Sequence, residues 1–171
     1  MASGYEEPDA PASTQPSYAG IAGVIANWSL VEWKYTESYD AAPDRRGDDT
    51  RTRRWGPFLA DPDGPIDGTL MPLPRYFDEP FYQLVRQQLL ADQLERSHAL
   101  GADRVRVVHV LSPQNVAYQR SVHHDEQRAL GTSVSAIWNQ LLRRRDRFTT
   151  LDPAVFLDPE ITSAEYVSRY R

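Results

Sequence analysis

Glu32 and Lys34 stand two residues apart in the run Leu30-Val31-Glu32-Trp33-Lys34-Tyr35, and Lys34 is the only lysine in the chain. Every other fixed positive charge is an arginine. A guanidinium stays protonated under ordinary conditions, whereas a lysine amine is a compact point charge whose pKa shifts readily. The run has strand character, and period-two alternation places Leu30, Glu32 and Lys34 on one face and Val31, Trp33 and Tyr35 on the other. Two residues of strand span roughly 6.6–6.8 Å, so the carboxylate and the ammonium can converge on one water or one phosphate oxygen. The Val31, Trp33, Tyr35 face is expected to pack into the core.

Such a pair needs a scaffold. At 171 residues the chain reads as one domain, of a size that buries roughly 68–70% of its unfolded surface. It has no cysteine, which excludes disulfides and cysteine-based metal sites. No apolar run approaches the ~18–20 residues that span a bilayer. Met1 to Ser13 lacks a basic start followed by an apolar core, so it is no secretory signal, and a soluble cytoplasmic protein without membrane association is expected. A net charge of −5 argues against a non-specific nucleic-acid coat, though not against an enzyme whose carboxylates act on nucleic acid. Arginines cluster at Arg45, Arg46, Arg51, Arg53 and Arg54, and again at Arg143, Arg144, Arg145 and Arg147; solvated surface is the default reading of each.

Residues 1–19 are rich in proline, alanine and serine and are expected to be disordered. Residues 20–28 could form a strand joined through Asn27 or Ser29 to the strand at 30–35. Between 38 and 77, Pro57, Pro62, Pro65, Pro72 and Pro74 argue against a long helix and predict a long loop. A helix follows over about 79–99, with Asp78 as N-cap and Gly101 as its stop. Phe81, Tyr82, Val85 and Leu89 flank one side of its apolar stripe, Leu84 and Ala91 the other, and Gln88 lies in the middle. A buried amide must find partners, so Gln88 either ties the helix to backbone or reaches a site. Gln83 and Gln87 are expected more than about 90° around the wheel. Arg104 to Leu111 reads as a valine-rich strand, 112–131 as loop and 133–145 as a second amphipathic helix. Thr162-Ser163-Ala164-Glu165 reads as a capping box before a last small helix. His123-His124-Asp125-Glu126 has the composition of a ligand set but no partner pair, and is expected to be a solvated loop.

A Glu-x-Lys strand, a helix with an inward glutamine and a valine strand together resemble the PD-(D/E)XK, or restriction-endonuclease-like, nuclease superfamily. More narrowly, Val31-Glu32-Trp33-Lys34-Tyr35-Thr36-Glu37 and the helix run from Phe81 to Ala91 resemble a bacterial restriction-endonuclease-like subgroup, from about residue 29 to the C-terminus. The resemblance implies an α/β fold with a central mixed sheet flanked by helices, carried by a single nuclease-like domain over 20–171. The chain has little room for the superfamily's N-terminal helix and strand, and is expected to lack them.

The resemblance also implies Mg²⁺-dependent hydrolysis of DNA, with Mn²⁺ as a substitute. Glu32 would be a metal ligand, Lys34 would orient the attacking water, and Gln88 would be the helix glutamine beside the site. Magnesium favours oxygen ligands, so two protein carboxylates plus phosphate oxygens suit it. The resemblance implies that the second carboxylate lies upstream of Glu32; since no acidic residue lies between Ala10 and Val31, it would then be Asp9 in Pro8-Asp9, or else Glu6 or Glu7. Restriction-like enzymes are often dimers, so a homodimer would be in keeping. The alternatives are a truncated or inactive nuclease-like protein that binds DNA or a protein partner, and a Glu32–Lys34 pair that is only an exposed surface pair.

Overall fold

The computed structural model of the chain describes residues 27–34, 39 and 47–170. Asp9, Glu6, Glu7 and the segment 1–19 lie outside them. Three strands form one sheet in the order β1-β2-β3, with β1 at Asn27–Lys34, β2 at Arg104–Leu111 and β3 at Phe148–Leu151. Both pairings are parallel. Parallel neighbours need crossovers, and helices supply them. Between β1 and β2 run α1 (Asp48–Ala60) and α2 (Phe81–Arg96), with a 3₁₀ turn at Leu73–Phe77. Between β2 and β3 lie α3 (Val116–Gln119), α4 (Asp125–Arg128) and α5 (Val134–Leu141), and α6 (Ala164–Tyr170) follows β3. The fold is thus α/β, a small parallel sheet flanked by helices, as in a restriction-endonuclease-like core. The antiparallel part of a mixed sheet is not found among the described residues.

The core lies between α2, α5 and the inner face of the sheet, and includes Phe81, Leu84, Val85, Val105, Val107, Ile137, Trp138 and Leu141. Helix α2 buries the stripe its periodicity predicts, Gln88 included. It begins later than expected, with Pro80 as N-cap, and ends earlier, at Ser97. The Asp78 carboxylate is turned away from the cap, 3.1 Å from His124 Nε2 and 3.8 Å from Arg75. That pairing gives the His123-His124 segment an anchoring role beneath α2.

Several local expectations are corrected. The Asn27–Lys34 strand is continuous, so Asn27 and Ser29 do not form a turn. Its faces are reversed: Val31 is 53% and Trp33 47% exposed, while Lys34 is fully buried. Helix α1 occupies what proline content predicted as loop. Gly47 at φ 82 starts it, Asp48 and Asp49 suit its first turn, and Pro57 sits within it. Buried Leu59 anchors it, an instance of tertiary packing overriding local propensity. The second amphipathic helix stops at Leu141 because Leu142 turns extended to bridge Ile66, which frees the chain to enter β3. The last helix is capped by Ser163, whose Oγ accepts from Tyr166 N, while Thr162 donates to the Phe156 carbonyl.

Candidate active site

The C-terminal end of β1 carries Glu32 and Lys34 toward α2. Lys34 Nζ donates to Glu32 Oε1 at 2.6 Å. It also donates to Gln83 Oε1 and lies 3.5 Å from the Tyr39 hydroxyl. Gln83 Nε2 in turn donates to Glu32 Oε1. The rings of Tyr118 and Tyr39 stand 5.9 and 6.0 Å from the ammonium. A buried ammonium is costly unless it is paired and hydrogen-bonded, and this cage supplies both. Asn115 Nδ2 holds the Lys34 carbonyl at 3.1 Å, which fixes the strand end itself.

Register brings in a residue that the sequence reading did not single out. Glu32 is paired with His109 across the sheet, and the buried imidazole lies on the same face. His109 Nε2 is 2.8 Å from Gln87 Oε1 and 4.0 Å from Glu32 Oε2, and its Nδ1 is 3.2 Å from the Tyr118 hydroxyl. With Gln87 Oε1 accepting, Nε2 carries a proton. A polar, buried histidine in an otherwise valine-rich strand was the signal for it in the sequence.

The glutamine beside Glu32 and Lys34 is Gln83, not Gln88. Gln88 is buried in the apolar face with its Oε1 lacking any hydrogen-bond partner. Five residues of helix turn a side chain through roughly 140°, so Gln83 and Gln88 cannot serve one site, whereas Gln83 and Gln87, one turn apart, share a flank. That flank overhangs the C-terminal half of β1 and β2.

Glu79 lies just ahead of α2. Partial burial pushes its carboxyl above the usual range; the Gln83 backbone N–H and the charges of Lys34, Arg51 and Arg86 oppose that shift. Glu32 offers the clearest place for a hard cation. Its Oε1 is occupied by Lys34 and Gln83, but Oε2 is buried without a hydrogen-bond partner. No group of three or more histidine or acidic side chains among the described residues is arranged around a common metal position.

The arginine clusters divide. Arg143 pairs with Asp67, Arg144 with Asp92 and Glu95, and Arg147 with Glu95 and Asp146, while Arg145 donates to Gln140 Oε1. Arg45 and Arg46 lie outside the described residues; Arg51, Arg53 and Arg54 project from α1.

The α/β core, a small parallel sheet flanked by helices, presents Glu32 and Lys34 at the C-terminal end of β1. The family model of restriction endonucleases associating with ARP matches residues 17–171, and the chain belongs to that family. No curated protein and no solved structure matches it. No helix among the described residues is long and apolar enough to cross a membrane.

Proposed function

We propose that the chain is a divalent-metal-dependent endonuclease of the PD-(D/E)XK type that hydrolyses DNA. The observation that carries this reading is the cage around Lys34: a fully buried ammonium held by Glu32 and by Gln83 of α2. A surface pair would need neither burial nor a third residue.

Glu32 Oε2 fits a hard cation, with Asp9 as the second carboxylate. A Mg²⁺ ion, when bound, supplies positive charge at the phosphate and acidifies a coordinated water. Lys34 donates toward the attacking water or a phosphate oxygen and neutralises charge that develops there. Gln83 holds Glu32 and Lys34 in one geometry, so neither side chain must reorganise as charge builds. Plasmid nicking with Mg²⁺ or Mn²⁺, with and without Glu32→Gln, tests the assignment; nicking that survives this change would remove Glu32 from the site.

A second reading is a nuclease-like protein that binds DNA or a protein partner without cutting. Titration calorimetry separates the two. Mg²⁺ or Mn²⁺ uptake that Glu32→Gln abolishes supports the enzyme, whereas DNA binding indifferent to metal and to Glu32 supports the binder.

A further inference from the structure

Helices α1 and α2 enclose a groove of about 240 Å³, lined by Trp55, Phe58, Arg86, Leu89, Leu90 and Gln93 among others. Arg86 and Trp55 of this lining belong to a set of ring–guanidinium contacts. Arg51 and Arg86 stack on the Tyr82 ring at 4.9 and 5.6 Å, and Arg54 lies 5.0 Å from the Trp55 ring. The rings are themselves fixed: Trp55 Nε1 donates to Tyr82 Oη at 3.1 Å, and Phe77 meets Tyr82 edge-on. Phe58 is 51% exposed, 6.3 Å from Trp55. Among the described residues, no carboxylate lies within ion-pair distance of Arg53, Arg54 or Arg86. Asp92 also lines the groove, but it is engaged by Arg96 and Arg144.

The groove adjoins the candidate active site through α2: Tyr82 bonds to Trp55 of the groove, and its chain neighbour Gln83 holds Glu32 and Lys34. Ordered cations interleaved with exposed rings are the features with which proteins bind unpaired nucleic acid: charge tracks the backbone and rings take the bases. A cavity below the roughly 300–1,000 Å³ of drug-sized sites suits a single ring system better than a protein segment.

We propose that the α1–α2 groove holds an unpaired stretch of the nucleic-acid substrate, its phosphates on Arg54 and Arg86 and a base against Phe58 and Trp55. This rests on the reading of the chain as acting on nucleic acid. It adds that the substrate is single-stranded, or opened, beside the scissile phosphate.

Fluorescence anisotropy on the full chain in EDTA tests this, with a labelled single-stranded oligonucleotide and the same sequence as a duplex. The wild type is expected to prefer the single strand. Phe58→Ala should weaken single-strand binding about 5-fold or more without changing its salt dependence. Arg86→Ala should weaken it and lower the slope of log affinity against log salt by about 0.7. Melting curves on each variant exclude unfolding, and Phe58 is exposed enough for its loss to be tolerated. No oligonucleotide binding by the wild type, binding unchanged in both variants, or equal losses for single strand and duplex in Phe58→Ala would each overturn the proposal. Unchanged binding in both variants is also the result expected if the groove serves a protein partner. Binding that depends on the groove in a chain that does not cut would overturn the nuclease activity and leave the groove assignment standing.

Discussion

Gln83 Nε2 donates to Glu32 Oε1, the oxygen that also accepts from Lys34 Nζ at 2.6 Å. Because Gln83 Oε1 accepts from Lys34 as well, the three side chains close a ring. The ring spans β1 and the first turn of α2, so the geometry of the pair depends on how helix and strand pack.

Gln83→Leu opens this ring without removing either charge. The expected result is a loss of cleavage of about 10-fold or more, with stability lower by roughly 1–3 kcal/mol for the hydrogen bonds lost to charged partners. Cleavage kinetics paired with urea denaturation check both; full activity at reduced stability would make Gln83 a purely structural tie.

Gln88→Leu should behave in the opposite way. Its Oε1 is buried without a partner, so the substitution removes an unsatisfied polar atom from the apolar face. Stability should hold or rise by up to about 1 kcal/mol, with cleavage unchanged. A specific loss of cleavage with the fold intact would return Gln88 to the site.

Stability should also divide the charged pair. Lys34 is fully buried, while the Glu32 side chain keeps 24% exposure. Lys34→Met leaves a carboxylate that water still reaches, whereas Glu32→Ala takes the carboxylate from a buried ammonium. Breaking a buried pair from one side costs roughly 3–5 kcal/mol, so Glu32→Ala should approach that range and Lys34→Met should cost clearly less. Denaturant midpoints for the two variants decide it.

Tyr76 sets an alkaline limit on the fold. Its hydroxyl donates to the Asp67 carbonyl at 2.6 Å, and burial pushes the phenol from 10.0 up to about 12. The folded state holds this proton more tightly than the unfolded state. Its contribution is therefore complete below pH 10 and is lost as pH rises from 10 toward about 12. Melting temperature should fall over that window in the wild type, and fall less in Tyr76→Phe.

Much of this was legible in the residues, and the failures have physical causes. The α2 stripe and the β2 valines are long, periodic segments, and periodicity is the strongest local signal. Glu32 and Lys34 were singled out by residue type, and their shared face follows from strand geometry alone. Which face of β1 is buried was not legible, because Trp33 and Val31 look like core and Lys34 does not. Only the tertiary cage of Gln83, Tyr39 and Tyr118 makes that burial tolerable. The choice of Gln88 over Gln83 failed for a related reason. The centre of an apolar stripe faces the hydrophobic core, whereas a polar site at a strand end is reached from the stripe's flank. Helix α1 and strand β3 were missed because Pro57 and the short Phe148–Leu151 run carry weak local signals that packing overrides.

The most direct test is Mg²⁺-dependent nicking of supercoiled plasmid DNA by the full chain and by Lys34→Met, with folding of both confirmed by thermal melting. The wild type is expected to nick the plasmid and to lose the activity in EDTA, and Lys34→Met to be folded yet at least about 100-fold slower. Nicking by folded Lys34→Met at the wild-type rate would contradict this role for Lys34.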